Sequence, residues 1–306
     1  MLAIHGLVES WRGIQTILTD STKNFKLNPL AVVNREFNKA PSRGWVDRSS
    51  PQTESEIKLS KEKQRSVLEN LNLTETIAAL KQDGFSLGIN LHQEVIQEIW
   101  DVAMRTPCYA NSDSQLSFYY PEKKQAQAKY GTPFIIGRYD NIALACPAIK
   151  KLETDPILLE IARQYLQAEP VYQGNQLWWN FPVESSLYER RREVQMFYCD
   201  RLCRCASRNR KNSHFLRFSF YLTDVDLCSS PHVCVRGSHT HKKCSQLHLS
   251  KGCSYQEITK YYDYKNIVPI CGKAGSGFVE DTRCFRKATP PGSKQRLTLQ
   301  ITFSHR

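Results

Sequence analysis

The sequence predicts a mainly β fold with flanking α-helices, an antiparallel barrel or sandwich buttressed on one side. Three observations carry this. Helical periodicity is confined to the first half of the chain, and short β-patterned runs dominate after residue 168. Two of those runs alternate cleanly. Leu216, Phe218, Phe220 and Leu222 share one face of the first, with Arg217 and Ser219 on the other. Leu297, Leu299, Ile301 and Phe303 share one face of the second, with Arg296, Thr298, Gln300 and Thr302 opposite. A strand with one apolar face and one face of Arg, Thr and Gln looks at water or lines a polar pocket.

The elements follow in order. Residues 1–56 are weakly patterned, apart from a short helical stretch in SWRGIQTILTDSTKNFKL, and Ala40 to Ser55 reads as a Ser/Pro-rich linker. A charged helix is expected from Glu56 to Asn70, followed by a short helix in ETIAALKQDGF that Gly84 stops. In HQEVIQEIWDVAMRT, Val95, Ile96, Ile99, Trp100 and Ala103 recur at helical spacing. In ETDPILLEIARQYLQ, Asp155 caps, Pro156 suits the first turn, and Ile157, Leu158, Ile161, Ala162, Tyr165 and Leu166 form a stripe. Both helices are expected to pack on the outside of a sheet. Predicted strands are Val171 to Phe181, EVQMFY, FLRFSFYLT, HVCV, NIVPI, SGFVE and RLTLQITF. We divide the chain into an N-terminal extension, 1–70, and one domain, 71–306.

With 306 residues, 41% of them apolar and 10% aromatic, the chain has material for a sizeable core. No apolar run is long enough to span a bilayer. MLAIHGLVESWRGIQ lacks a secretory pattern, and eleven cysteines are then expected as reduced thiols in a cytoplasmic protein. The net charge of +12 concentrates in Arg190, Arg191, Arg192, Arg201, Arg204, Arg208, Arg210 and Lys211. That stretch suits nucleic acid, another polyanion or an anionic ligand, or is a solvated loop. No helix-turn-helix, zinc-finger or RNA-binding signature accompanies it.

The β-rich half resembles the phytanoyl-CoA dioxygenase-like family of iron(II)/2-oxoglutarate oxygenases. FYLTDVDLCSSPHVCVRGSHTHKK (Phe220 to Lys243) is similar to that family's strand, acidic turn, "GPH" turn and "GSH" segment, with Ser230 where glycine is usual. GKAGSGFVEDT (Gly272 to Thr282) resembles its glycine-turned strand, and LKQDGFSLGINL (Leu80 to Leu91) its first helix and strand. The resemblance covers residues 75–303. It implies a double-stranded β-helix and hydroxylation of a small or lipid-like substrate. It also implies iron(II) held by two histidines and a carboxylate, and 2-oxoglutarate held by an arginine. Carried across, Asp200 falls at the carboxylate position, Tyr198 at the first His position and Arg286 at the distal His position. Arg296, ten residues on, falls at the 2-oxoglutarate position.

Two of three ligand positions are thus altered. A phenol is a poor ligand at neutral pH and a guanidinium has no lone pair to offer. We expect Arg286 to pair with Asp200 where iron would sit, leaving an oxygenase fold with an impaired metal site, a possible pseudoenzyme, whose Arg296 still takes a small carboxylate. Two alternatives are an active oxygenase with a rearranged ligand set and an anion- or nucleic-acid-binding scaffold using residues 190–211.

Other chemistry-bearing residues read more plainly. His232, His239 and His241 fall in a turn-and-loop segment, and His214 replaces a ligand only if the preceding loop folds back. Cys199, Cys203 and Cys205 lack a second zinc-spaced pair. Cys228, Cys234, Cys271 and Cys284 are expected to pack as small apolar residues. Trp178 and Trp179 are candidates to wall a substrate pocket, but adjacent strand residues face opposite sides, so at least one of them is expected to pack in the core. GKAGSG lacks a following helix, so its glycines serve a turn.

Overall fold

The computed structural model describes residues 66–182, 196–199, 214–240, 252–288 and 292–305. The N-terminal linker, the basic stretch, Asp200, Cys203, Cys205 and His241 lie outside the described residues. In chain order the elements are α1 (Leu73–Asp83), β1 (Phe85–Leu87), α2 (Gln93–Arg105), β2 (Cys108–Ala110), β3 (Ser117–Phe118) and α3 (Lys123–Tyr130). Then come β4 (Ile136–Tyr139), α4 (Ile142–Ala145), α5 (Pro147–Glu153), α6 (Pro156–Leu166), β5 (Pro170–Asn180), β6 (Phe215–Tyr221) and β7 (His232–Val235). The last are α7 (Tyr255–Thr259), β8 (Ile267–Ile270), β9 (Gly277–Asp281), β10 (Arg286–Ala288) and β11 (Arg296–His305).

The helices start and stop where their chemistry dictates. The Asp155 carboxylate accepts from the Ile157 and Leu158 amides and so caps α6, with Pro156 in the first turn. It also accepts from Ser66 Oγ and the Val67 amide, tying the incoming chain to the same point. Gly84 ends α1 in the left-handed conformation at φ 82°. A side chain there would collide with Cys284 and His239, since a Cβ would sit 2.3 Å from the Cys284 sulfur. The helix expected over Glu56 to Asn70 does not reach its end, because Leu68 instead forms an isolated antiparallel bridge with Leu91.

All strand pairings are antiparallel. An eight-stranded sheet runs β1-β9-β6-β11-β5-β4-β2-β3, and a three-stranded sheet runs β10-β7-β8. The Gly272–Gly277 segment is indeed a turn. The Gly275 amide donates to the Tyr221 carbonyl, and the Ser276 carbonyl accepts from the Tyr221 amide. One face of the large sheet is apolar and packs on the helices. Leu297, Leu299, Ile301 and Phe303 of β11, Leu216, Phe218 and Phe220 of β6, and Leu177 and Trp179 of β5 join the α2, α5 and α6 stripes in one core. Trp179 stacks on Tyr120 and meets Trp100 edge-on, and its indole N–H donates to the Tyr139 hydroxyl.

The opposite face decides the question that alternation left open. Arg296, Thr298, Thr302, Arg217 and Ser219 are all buried. They face the smaller sheet. Glu280 of β9 reaches His232 and Cys234 of β7, and the Tyr221 hydroxyl donates to the Ile270 carbonyl of β8. The polar face therefore lines an interior between two sheets, as a cupin-like fold requires.

Candidate functional site

Register places the site's side chains in rows. Arg296 pairs with Asn180, and Thr298 lies between Trp178 and Tyr221. Farther along, Thr302 pairs with Arg217, and Arg217 with Glu280. Two subsites result, one around Arg296 and one around Glu280, and Tyr221 borders both.

Arg296 is 2% exposed. Its Nη2 donates to Asn180 Oδ1 at 2.9 Å, its Nη1 donates to the Ser230 carbonyl, and its guanidinium lies 5.7 Å from the Tyr221 ring centre. Asn180 Oδ1 also accepts from the Trp178 indole at 3.0 Å. Trp178 thus faces this interior while Trp179 faces the core. No carboxylate among the described residues pairs with Arg296, and burial pulls its pKa down. Among the described residues its Nε has no hydrogen-bond partner, and neither does Thr298 Oγ1, two residues along on the same face. A buried cation and a hydroxyl left with unused hydrogen-bonding capacity fit an anionic oxygen donor.

Ser230, which orients Arg296 through its carbonyl, has φ 60° although it carries a side chain. The left-handed turn is present at the place where the family resemblance has glycine.

In the second subsite, Glu280 is completely buried. Its Oε1 lies 3.5 Å from Arg217 Nη1 and 3.8 Å from Arg286 Nε. Its Oε2 lies 2.8 Å from His232 Nε2 and 3.3 Å from Cys234 Sγ. Burial alone would raise the Glu280 carboxyl, but His232, Arg286 and Arg217 hold it well below the usual range. The Cys234 thiol is pushed up by burial and by the Glu280 charge. His232, Cys234 and Glu280 are the one such metal-capable group of three among the described residues.

The sequence-derived positions are distributed as follows. Tyr198 and Arg286 are neighbours across strands and exchange two main-chain hydrogen bonds of 2.8 Å. The Arg286 guanidinium is buried, donates to the Thr282 carbonyl at 2.6 Å and approaches Glu280. The expected Arg286–Asp200 pair falls outside the described residues. A guanidinium offers no lone pair, so Arg286 does not fit as an iron ligand. His214 is not in this interior. It lies on the helix side, 2.8 Å from Asp281 Oδ2, which also accepts from the Tyr165 hydroxyl at 2.7 Å. That places it a full sheet away, because adjacent residues Glu280 and Asp281 point to opposite faces. His239 lies near Lys81 and Cys284, with its ring nitrogen 3.2 Å from the Lys81 carbonyl. Of the cysteines expected to pack as apolar residues, Cys284 is buried, Cys228 and Cys271 are exposed, and Cys234 is buried against a carboxylate. Nothing in the sequence pattern singles out Glu280, Asn180 or Tyr221, and it places Thr298 only on the polar face of an alternating strand. The one local signal was the pair of acidic residues, Glu280 and Asp281, that closes the otherwise apolar strand GFVED.

No protein-family model and no curated protein matches the sequence. Solved structures do. EvdO2 from Micromonospora carbonacea var. aurantiaca, solved with 2-oxoglutarate, aligns over 79% of this chain and 94% of its own at 13% identity, with a TM-score of 0.52. SnoK, a non-heme alpha-ketoglutarate-dependent carbocyclase of nogalamycin biosynthesis, aligns over 79% and 86% at 13% identity, with a TM-score of 0.51. This chain has the fold of those enzymes. No helix among the described residues is long and apolar enough to cross a membrane.

Proposed function

We propose that this protein is a phytanoyl-CoA dioxygenase-like member of the iron(II)/2-oxoglutarate oxygenase superfamily that binds a small dicarboxylate at Arg296 and has lost the family's iron site. The observation that carries the reading is the buried Arg296 guanidinium, without a carboxylate partner among the described residues and with its Nε unused. A carboxylate accepting from Arg296 Nε and from the Thr298 hydroxyl completes both groups at once. Asn180 and the Ser230 carbonyl hold the guanidinium plane, so its orientation is set before a ligand arrives. Burial strengthens the pairing, because a charge-assisted bond in a dry interior meets little competition from water. The 2-oxoglutarate seen in EvdO2 makes that dicarboxylate the first candidate here.

The iron half of the family chemistry does not fit these residues. Tyr198 and Arg286 hold the two histidine positions of the resemblance, and neither a neutral phenol nor a guanidinium offers iron(II) the lone pair that a histidine would. No hydroxylation step is assigned to this chain on that basis, and Tyr198, Asp200 and Arg286 are read as remnants of the ligand set. The test is calorimetric titration of 2-oxoglutarate into metal-free protein. Saturable binding that Arg296→Leu abolishes supports the reading, whereas binding unaffected by Arg296→Leu, or none at all, sinks it. Succinate formation on adding iron(II) would instead establish an active oxygenase.

A further inference from the structure

We infer that His232, Cys234 and Glu280 form a binding site for a borderline-soft divalent cation, zinc(II) in chemical class, using none of the residues at the ligand positions of the family resemblance. Three donor types converge from two different sheets. His232 and Cys234 are two residues apart on β7 and so share a face, while Glu280 arrives from β9 across the interior. Their ligating atoms all lie within 4.8 Å of one another. The spacing is that of a site held together by protons: Oε2 sits 2.8 Å from the imidazole nitrogen and 3.3 Å from the sulfur. A cation with ~2.0–2.3 Å bonds to N, O and S needs only a small outward movement of these side chains.

The Glu280 carboxylate divides its work. Oε1 faces the Arg217 and Arg286 guanidiniums, and Oε2 faces His232 and Cys234. A monodentate ligand whose second oxygen is held by hydrogen-bond donors is the usual arrangement around a bound cation. The two guanidiniums oppose a dication. That cost is offset by the thiol: as the metal–sulfur bond forms, the S–H bond breaks and its proton leaves to solvent, so a thiolate replaces a neutral group. Nothing is oxidised or reduced. One nitrogen, one sulfur and one oxygen suit zinc(II), and three protein donors leave a fourth tetrahedral position for water or a substrate oxygen. Phe278 stacks on the His232 ring at 5.2 Å and Phe85 lies in the same cluster, giving the site an apolar wall.

Cobalt(II) is the probe, titrated without oxygen into the chelator-stripped full-length protein, with no dicarboxylate present so that the outcome is independent of Arg296. The expected result is a near-ultraviolet sulfur-to-cobalt charge-transfer band and four-coordinate visible bands that saturate at one equivalent and bleach with zinc(II). Cys234→Ser removes the charge-transfer band. His232→Gln, with an unchanged circular dichroism spectrum, weakens binding roughly tenfold or more. A combined Cys199→Ser, Cys203→Ser and Cys205→Ser variant keeps the band. Wild-type protein without a charge-transfer band overturns the inference. So does a band that survives Cys234→Ser, or one lost in the triple variant.

Discussion

The two faces of the large sheet are built from the same strands and obey different rules. Toward the helices, β6 and β11 present Leu216, Phe218, Phe220, Leu297, Leu299, Ile301 and Phe303, packed against α2 and α6. Toward the smaller sheet, the alternate residues of those strands are Arg217, Ser219, Arg296 and Thr298, equally buried. Burial is thus shared, and chemistry is not. On the helix side, stability comes from apolar area removed from water. On the inner side, each buried charge must be matched, and where it is not, as at Arg296, the mismatch points to a ligand. Stability and function are separated by a two-residue period.

The largest expected effect comes from breaking the match. Glu280→Leu removes the buried carboxylate that Arg217, Arg286 and His232 face and is expected to cost about 3–5 kcal/mol, read as a lowered urea midpoint. Replacing Arg217, Glu280 and Arg286 together by apolar residues is expected to cost far less than that single change. A triple variant as unstable as Glu280→Leu would mean the cluster is not a matched unit.

On the helix side, Ile301→Ala creates a cavity and is expected to cost about 2–5 kcal/mol while leaving dicarboxylate binding intact. Lost binding in a folded Ile301→Ala protein would show that the two faces are not independent.

Lys287 gives a pH test. It is buried under Phe197 and Tyr255, and burial pushes its pKa down to about 8 from 10.5. Between those values the unfolded chain holds the proton that the folded chain has lost, so stability rises with pH across that window. The gain is about 1.4 kcal/mol per unit of separation, and Lys287→Met is expected to flatten the slope. Glu280 has the same sign at the acid end. Its folded pKa lies below the ordinary 4.5, so its contribution is present above that value and is lost as pH falls.

Asp155→Ala removes the cap of α6 and the tether to Ser66 and Val67, for about 1–2 kcal/mol. The smallest effect is at Ser230, whose left-handed backbone is strained. Ser230→Gly is expected to stabilise by about 1 kcal/mol or less, while keeping the carbonyl that Arg296 uses.

Long strands with a buried neighbour on each side were legible. β6 and β11 follow the alternation of their residues, β5 and β9 fall on runs predicted as strands, and α2 and α6 follow their stripes. β2, β3 and β4 were not, since two to four residues are too few to show a period, and they are strands only because β5 extends the sheet to them. Arg296 was legible through the family resemblance and its place on an alternating strand. The His232–Cys234–Glu280 cluster was not, because Glu280 lies 46–48 residues from the other two and comes from a different sheet.

The sequence by itself determined α1, α2 and α6, the main strands and the existence of a polar face on β11, because these rest on local periodicity and capping. Only the tertiary structure decided that this face is buried and that Glu280 meets His232 while Asp281 meets His214 on the far side. Those facts depend on which sheet covers which face, and no spacing along a chain encodes the arrival of a second sheet.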